Sequence, residues 1–485
     1  MPEFRLPHTL CRFGIARRDV TPPVGIYHRM WGAAAHDRSE GVHRPLTATA
    51  VVLSPRDDAT CGDALVLIAL DHCLLFAKEM NALLARVAET SEIDPGRIVV
   101  AFSHTHGAGL MDPRRAHLPG GDLIQPYLEH LQQTTAAAVV AAQADMTEAT
   151  ITYALGKCDL AADRDYWDES SGQFVCGFNP SAPADDAVLV GRVTGAGGEL
   201  RATLVNYACH PTTLAWDNRL ISPDFPGAMR ETIELASGAP CVFLQGASGE
   251  LGPREGFVGD VAVADRNGRQ LGYAALSALE SMPPPRTELH YDGPVISGAT
   301  IGNWVRTPLD DDALRAARHW QREHFTVALP YRDGMPSIEQ THEQRAHWNR
   351  TEAEARAAGD EAAAADARAM VERMNRWLTR LEALPPGDQF PMPVTLLRAG
   401  QAWWLAVEGE PYNLLQRALR ERFPQTPIVV MVLAGGSRSW YLPTADTYGK
   451  GIYQESMANL APGCLERLIE AIGERMAQME AAAST

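Results

Sequence analysis

The sequence predicts an α/β protein whose core is a mixed, partly parallel sheet with flanking helices and an inserted helical hairpin. Three observations support this fold class. Short apolar runs alternate with loops rich in Gly, Pro and Asp, helical patterns lie between some of those runs, and one long stretch is rich in Ala, Glu and Arg instead. Strands and helices mixed in this way are typical of sheets covered by helices.

The predicted strands are short and rich in valine, leucine and isoleucine, as expected of buried strands. Helical periodicity between them predicts helices over 75–90 and 123–143. Strand-like runs return after 394, and a helical pattern follows them from 464. The runs in the first 300 residues are TATAVVL (47–53), ALVLIAL (64–70), RIVVAF (97–102), ATITYAL (149–155), AVLVGRV (187–193), RATLVNYAC (201–209) and APCVFLQ (239–245).

Residues 311–385 are predicted to form a helical hairpin inserted into a main domain that comprises residues 1–310 and 386–485. The segment has long helical periodicity, the acidic residues 310–312 can cap its first helix, and LPYRDGMPSI (329–338) supplies the turn. We consider three interpretations of this insertion: a solvated addition, a lid, or an arm through which the protein forms homo-oligomers.

Composition and charge narrow the class of protein. The chain of 485 residues is 46% hydrophobic and 21% charged, which is typical of a globular protein. Its formal net charge of −17 disfavours nucleic acids and anionic membrane surfaces as partners, because both would repel it. We find neither a membrane span of roughly 18–20 apolar residues nor a secretory signal. The eight scattered cysteines form no CxxC pair and are predicted to be reduced thiols, so we expect a cytoplasmic protein.

Two histidines, His104 and His106, follow the apolar run RIVVAF and open into a glycine-containing loop. Residues i and i+2 of an extended strand point to the same side, so both imidazoles can face one cavity. Gly107 and Gly109 let the chain turn sharply beside them. This arrangement suits metal ligation or acid–base chemistry, although an HxH pair can also have a purely structural role.

Other strand ends carry polar side chains that would complete a metal site. His210 ends the run VNYAC, and Glu410 ends the run AWWLAVEGE. A histidine and a carboxylate in this context strengthen the metal interpretation, since Zn²⁺ takes nitrogen and oxygen ligands. Ser248 follows a further strand, but GASGE does not fit the nucleophile pattern G-x-S-x-G, so we expect Ser248 to satisfy backbone groups of its loop. The 436–454 segment adds three tyrosines: Tyr441, Tyr448 and Tyr453.

In their order along the chain, these segments resemble the N-terminal catalytic domain of the neutral/alkaline ceramidases, which are zinc-dependent amidases. The resemblance implies that the zinc ligands are His104, His210, Glu410 and Tyr441. It also implies that His106 acts near the substrate and that Arg164, in AADRDYW, lies near the active site. The similarity covers most of residues 11–300 and 395–460, and is carried by FGIARRDVTPPVG (13–25), GVHRPLTATAVVL (41–53), FSHTHGAG, NYACHPTTL with LISPDFPG, QGASGELGP, VEGEPYNLLQRALR and WYLPTADTYGKGIYQES.

The sequence departs from the family pattern most clearly at one loop. Where the family has G-D-x-S-P, with a serine near the zinc, this chain has GELGP (249–253), so that Gly252 stands at the serine position. Asp163 also replaces the asparagine that precedes the family's arginine. The chain has no room for the family's C-terminal immunoglobulin-like domain and shows no secretion signal. These differences predict a soluble substrate different from a sphingolipid.

We therefore predict a zinc-dependent hydrolase that cleaves an amide or ester bond of a small soluble molecule, with metal-activated water as the nucleophile. His106 would act as general acid/base, and Arg164 would bind a carboxylate or stabilise an oxyanion. Two alternatives stay open. One is a metal-dependent lyase or isomerase acting on a polar small molecule, in which His106 or Tyr448 would shuttle a proton. The other is a non-catalytic relative in which the metal only stabilises the fold.

Overall fold

Two β-sheets stacked face to face form the centre of the protein in the computed structural model, which describes residues 3–57 and 63–483. In the larger sheet, the two strands at each edge are parallel and the strands between them are antiparallel. The predicted mixed, partly parallel sheet is thereby confirmed. Its eight strands lie in the spatial order Cys241–Gln245, Leu200–Tyr207, Ala187–Gly195, Thr147–Lys157, His8–Asp19, Thr47–Pro55, Leu65–Leu70 and Ile98–Phe102.

The second sheet packs on one face of the first through large apolar side chains. Phe13 and Leu67 of the larger sheet and Trp404 of the smaller sheet belong to this shared core, and each is at most 1% exposed. Such complete burial of aromatic and aliphatic side chains stabilises the contact between the sheets. The four strands lie in the order Trp320–Pro330, Gln389–Ala399, Ala402–Val407 and Ile428–Met431, of which the last two are parallel.

The prediction that the 311–385 segment begins with a long helix was wrong beyond Ala317. Asp311–Ala317 is a short helix, and Trp320–Pro330 is an edge strand of the second sheet. This stretch contains aromatic and β-branched residues, and Val327 and Leu329 alternate with exposed neighbours. Burial of that face outweighs the helical pattern of the preceding residues. The division of the chain into domains at 311 and 385 stays a prediction.

Helices cover the outer faces of both sheets, which gives four layers in all. Two helices pack on one half of the larger sheet and two on its other half, while a further pair covers the smaller sheet. The two pairs on the larger sheet are Ala77–Ser91 with Ile124–Ala144 and Phe225–Ser237 with Val261–Ser281. The pair on the smaller sheet is Leu414–Arg422 with Cys464–Ala483.

The helices Ile338–Ala357 and Glu361–Leu381 form an antiparallel pair, called the hairpin below. Ser337 and Gln340 form a capping box at the start of the first helix, and Asp360 caps the second. The first helix is largely exposed, with Thr341 as its buried residue. The second helix faces the body of the protein, so the hairpin lies over the loops at one end of the sheets.

Short elements complete the described part of the chain. They are the three-stranded sheet of Glu3–Phe4, Thr287–Ile296 and Thr300–Pro308, the strand pairs Gly41–Val42 with Leu220–Ile221, Ala161–Asp163 with Leu251–Pro253, Asp165–Asp168 with Gln173–Cys176 and Glu410–Pro411 with Tyr441–Leu442, the helix Tyr453–Met457, and the 3₁₀ turns Pro95–Arg97, His106–Ala108, Pro113–Arg115, Gly121–Leu123 and Ala445–Thr447.

Two sequence-based expectations can be compared with these elements. Among the residues that the structure describes, no helix combines the length and apolar character that a bilayer span requires. The seven cysteines within those residues are free thiols, six of them buried. Cys61, the eighth cysteine of the sequence, lies outside the described residues.

Candidate metal centre

Three side chains from three strand ends meet at the end of the sheets that the hairpin covers. His104 follows the strand Ile98–Phe102, His210 follows Leu200–Tyr207, and Glu410 follows Ala402–Val407. The Nε2 atoms of His104 and His210 lie 3.0 Å apart. Glu410 Oε2 lies 3.1 Å from Nε2 of His210 and 3.4 Å from Nε2 of His104. All three residues are buried, so this cluster can hold a metal ion out of contact with bulk water.

The hydrogen bonds of the two imidazole rings show what the cluster lacks. His104 Nδ1 lies 2.7 Å from the Cys73 carbonyl oxygen, and His210 Nδ1 lies 2.7 Å from that of Ser248. A carbonyl only accepts, so each Nδ1 must donate its proton, which leaves lone pairs on the two facing Nε2 atoms of the neutral rings. Two lone pairs and a carboxylate oxygen at such distances repel one another unless a cation lies between them. Backbone carbonyls that orient ligating histidines in this way are common in zinc sites.

The electrostatics of the cluster agree with a single cation position. Burial acts to lower the pKa of His104, but Cys73 and Glu410 outweigh it and hold that pKa well above its ordinary value. Burial and the charge of Arg164 lower the pKa of His210 to about 3. Burial acts to raise the pKa of Glu410, yet the two histidines hold it well below its ordinary value. A proton on the His104 ring thus balances the negative charge of Glu410, and a bound metal ion would take the place of that proton.

His104 is held in an unusual backbone conformation. Its φ is +66°, in the left-handed region that residues other than glycine rarely adopt. The chain here is anchored on both sides: His104 N donates to the His72 carbonyl at 3.0 Å, and Thr105 Oγ1 donates to the Ser222 carbonyl at 2.7 Å. Backbone strain that is enforced by neighbouring hydrogen bonds is a frequent feature of functional sites.

Tyr441 joins the cluster through the short parallel strand pair that it forms with Glu410. Glu410 N donates to the Trp440 carbonyl at 2.9 Å, and the Tyr441 hydroxyl lies 3.5 Å from His210 Nε2. Glu408, which is fully buried, organises the turn before Tyr441. Its carboxylate accepts hydrogen bonds from the backbone N–H groups of Arg438 and Ser439, at 2.5 and 3.0 Å, and pairs with the Arg438 guanidinium at 2.7 Å.

Arg164 contacts Tyr441 from a neighbouring loop. Its Nη2 donates to the Tyr441 hydroxyl at 3.1 Å and to the Gly249 carbonyl at 2.5 Å. Its Nε is buried and has no acceptor among the described residues. Burial acts to lower the pKa of Arg164, but Tyr441 and Cys176 outweigh it and raise that pKa, so the guanidinium is a permanent positive charge in the site.

His106 stands beside the cluster, and one of its ring nitrogens is unpaired. Its ring centre lies 5.1 Å from that of His104 and 4.9 Å from that of Trp31. Its Nε2 is buried with no hydrogen-bond partner among the described residues. Burial lowers the pKa of His106 well below its ordinary value, and His104 and His210 act in the same direction, so the ring is neutral near pH 7.

A cavity of about 390 Å³ lies beside the cluster. His106, Arg164 and Tyr441 line it, so three of the residues predicted from the sequence share one space. Its walls are largely aromatic, and the second helix of the hairpin closes one side with Ala369, Arg373 and Arg376. The aromatic lining consists of Trp31, Trp216, Phe257, Tyr441 and Tyr453.

Other predicted residues lie outside this cavity. Ser248 is behind His210: its hydroxyl accepts a hydrogen bond from Gln245 at 2.6 Å and lies 3.4 Å from Nδ1, on the ring edge away from the cluster. It therefore bonds a side chain rather than the loop backbone, and its carbonyl positions His210. The Tyr448 hydroxyl donates to the Leu460 carbonyl at 2.8 Å, and the described residues that line the cavity include Tyr453 instead.

Sequence reasoning missed residues from two parts of the site. Cys73 follows the strand Leu65–Leu70, so the strand-end pattern that selected His104 would also have selected it. Its thiol forms a second possible metal group with His104 and His106, but it lies 3.5 Å from His104 Nδ1, the nitrogen that already donates to a carbonyl. Arg376 and Arg380 come from the hairpin. In the sequence, the one feature that sets them apart is that they lie near Trp377, which the structure shows to be buried.

Comparison with known proteins supports the resemblance stated above. The neutral ceramidase of Pseudomonas aeruginosa is 24% identical over 261 residues, which are 50% of this chain and only 37% of that relative. A solved ceramidase complexed with C2 has a TM-score of 0.64 at 16% identity, and a crystal structure of the Pseudomonas aeruginosa neutral ceramidase has 0.63 at 17%; each match covers 97% of this chain and 74% of the other. No protein-family model matches the chain. The chain is thus neutral ceramidase-like in sequence and in fold.

Proposed function

We propose that this protein is a zinc-dependent hydrolase that cleaves an amide bond, or an ester, of a small soluble substrate. The observation that supports it most is the convergence of two imidazole Nε2 atoms and a carboxylate oxygen beside an aromatic-lined cavity. Similarity to neutral ceramidase favours the amide bond as the target.

The donor atoms fit zinc better than Mg²⁺ or Ca²⁺. Two imidazole nitrogens, one carboxylate oxygen and the nearby Tyr441 hydroxyl form a mixed nitrogen and oxygen set, whereas Mg²⁺ and Ca²⁺ favour oxygen ligands alone. Zinc bound here would lower the pKa of a water molecule to about 7 and polarise the substrate carbonyl.

The remaining residues have separate roles in this proposal. His106 lines the cavity and has an unpaired Nε2, so in this proposal it accepts a proton from the attacking water and returns it to the leaving amine. Arg164 keeps Tyr441 in place and, through its unpaired Nε, offers a donor to negative charge that develops on the carbonyl oxygen. Trp31, Trp216 and Phe257 bind the apolar part of the substrate and exclude water from it.

We further propose a cytoplasmic location, because reduced thiols are typical of that compartment. Association into homo-oligomers through residues 311–385 stays a prediction. The outer helix Ile338–Ala357 would be the surface for it, since that helix is exposed.

The proposal is tested by measuring zinc and turnover on the same samples. His210→Ala removes one ligand, so we expect the zinc content to fall from about one per chain to less than about a tenth of that. We expect the rate of cleavage in a panel of N-acyl, ester and lactam substrates to fall at least about a thousandfold. A chelator should abolish turnover of the unaltered protein, and added zinc should restore it.

The matched control is His347→Ala, which removes an exposed histidine from the outer helix of the hairpin and should change neither quantity. Reaction in ¹⁸O-labelled water should place one labelled oxygen in the acid product. Full turnover and full zinc content in His210→Ala would contradict the metal assignment, and an unlabelled product would point to a lyase or isomerase.

A further inference from the structure

Two arginines of the hairpin lie on successive turns of one helix and reach the metal cluster. Arg376 and Arg380 are four residues apart, so they project from the same face of Glu361–Leu381. Together they line a small space of about 50 Å³ beside the cluster. The other walls of that space include His104, His106 and Glu410, so a molecule held by these arginines would lie next to the reacting groups.

Neither guanidinium has a carboxylate partner within 4.0 Å among the described residues. Arg376 donates through Nη2 to the Met30 carbonyl, and its Nε is buried without an acceptor. Arg380 is 9% exposed, its Nε is likewise unpaired, and its guanidinium carbon lies 4.8 Å from the centre of the Trp440 ring. Two other charged residues of the same helix are paired with residues of the body: Arg368 with Asp37, and Glu372 with Arg115 at 2.8 Å.

Two unpaired cations in a largely buried space are costly, because burial removes the water that would solvate them. Glu410 offsets part of the charge of Arg380 but forms no ion pair with either arginine among the described residues, because its Oε2 is turned toward the two histidines. This part of the site therefore carries an excess of positive charge. The guanidinium fork matches a carboxylate in shape and charge, and forms two parallel hydrogen bonds with it.

We infer that Arg376 and Arg380 bind a carboxylate of the substrate, which makes N-acylated amino acids, rather than neutral amides, the substrate class of this site. This inference rests on the proposed amide hydrolysis. The carboxylate would lie close to the scissile bond, because the space that the arginines line is also lined by the cluster. The acyl group would occupy the larger cavity among Trp31, Trp216 and Phe257.

The first test compares two amides that differ only in charge. N-benzoylglycine carries a carboxylate, and N-benzoylethanolamine has a hydroxymethyl group in its place. We expect kcat/KM of the zinc-loaded protein to be at least about thirtyfold higher for the carboxylate. In Arg376→Gln and in Arg380→Gln this ratio should fall to within about threefold of unity, and Arg376→Lys should keep part of it.

Arg345→Gln is the control for removing a positive charge from the hairpin. Arg345 lies on the first helix, donates to Asn375 at 3.3 Å and lines a different cavity, so its loss should leave the ratio unchanged. Equal turnover of the two amides by the unaltered protein would overturn the inference. An equal fall in kcat/KM for both amides in the glutamine variants would also overturn it. That result is expected if the arginines only support the fold, for example through the stacking of Arg380 on Trp440.

A second test does not depend on amide cleavage and so separates failure of this inference from failure of the proposed function. Binding of 4-phenylbutanoate and of 4-phenylbutanol is measured by calorimetry on the zinc-loaded protein. We expect the carboxylate to bind at least about tenfold more tightly than the alcohol, and Arg376→Gln to remove that difference. If a carboxylate on the metal alone were responsible, Arg376→Gln would keep the difference and the inference would be wrong.

Discussion

The metal cluster and the hairpin that covers it are held in place by different interactions. The ligands come from loops that follow buried strands, and backbone groups fix them: carbonyls orient both histidine rings, and a backbone hydrogen bond joins Glu410 to Trp440. The hairpin is held by side chains instead. Trp377 packs edge-on against Trp440 with ring centres 4.4 Å apart, and Glu372 pairs with Arg115.

In the proposed hydrolase, this difference separates the part of the site that would perform the chemistry from the part that would select the substrate. Backbone hydrogen bonds between strand ends tolerate little change, because each ligand must stay within a few tenths of an ångström of its place. A helix that packs through side chains can exchange its residues while the cluster stays intact. We therefore expect substitutions in the strand-end loops to affect metal and stability, and substitutions in the hairpin to affect substrate binding.

Glu408→Ala should have the largest effect on stability. Glu408 is fully buried, and its removal leaves two backbone N–H groups and the Arg438 guanidinium without their acceptor. We expect the free energy of unfolding to fall by about 3–5 kcal/mol. Because the turn before Tyr441 loses its anchor, zinc affinity should fall at least about tenfold. Chemical denaturation and competition with a chromophoric chelator measure the two quantities.

The matched control for that substitution is Glu352→Ala in the hairpin. Glu352 also pairs with an arginine, Arg356, at 2.9 Å, but on an exposed helix surface. Such i, i+4 pairs contribute about 0.3–0.5 kcal/mol. If the two substitutions lowered the free energy of unfolding by the same amount, the distinction between strand-end loops and hairpin would not hold.

Trp377→Ala should loosen the hairpin without removing the metal. The side chain is 6% exposed and fills the space next to Trp440, so its loss leaves a cavity that costs about 3 kcal/mol. We expect faster amide hydrogen exchange in 338–381 but not in the strands of the larger sheet. KM for the preferred substrate should rise about fivefold to twentyfold, while zinc content stays at one per chain.

Trp304→Ala is the control for loss of a tryptophan, because Trp304 is 46% exposed on a peripheral strand and should change none of these quantities. Loss of zinc in Trp377→Ala would show that the hairpin helps to hold the metal. In that case the comparison between the two regions would have to be abandoned.

The sequence singled out the residues of the cluster because the signal there is local: His104, His210 and Glu410 each end an apolar run, and the family resemblance grouped them as ligands. Their meeting in space depends on the stacking of the two sheets, since both histidines follow strands of the larger sheet and Glu410 follows a strand of the smaller one. The mixed sheet was predictable because its strands also give a local signal. The strand Trp320–Pro330 was not, because its pairing partner, Gln389–Ala399, is far away along the chain and its preceding residues have a helical pattern.

The arginines of the hairpin show a different limit of sequence reasoning. Nothing near Arg376 or Arg380 in the sequence indicates a ligand, since an arginine on a charged helix is usually solvated. Only the packing of Trp377 against Trp440 turns that face of the helix toward the cluster. Tyr448 illustrates the converse: the pattern around it suggested a proton carrier, whereas its hydroxyl is engaged by the Leu460 carbonyl.

Gly252→Ser should have the smallest effect, and it tests whether the strand-end loops accept the serine that the ceramidase resemblance would place there. A Cβ atom at Gly252 would lie 3.5 Å from Thr212 Oγ1 and 3.7 Å from Arg164 Cδ, which are ordinary contacts, and the backbone there is not left-handed. We therefore expect the free energy of unfolding to change by less than about 1 kcal/mol. Zinc content should be unchanged, since none of the ligand contacts involves this position.

The informative quantity for Gly252→Ser is the ratio of turnover between the two amides named above. Gly252 lies beside Arg164, and it is not among the described residues that line the two spaces that Arg376 lines. If the hairpin arginines set the preference for a carboxylate, the added hydroxyl should leave that ratio within about threefold of its original value. A shift of more than tenfold toward the neutral amide would mean that the strand-end loop selects the substrate as well, and that selection cannot be assigned to the hairpin alone.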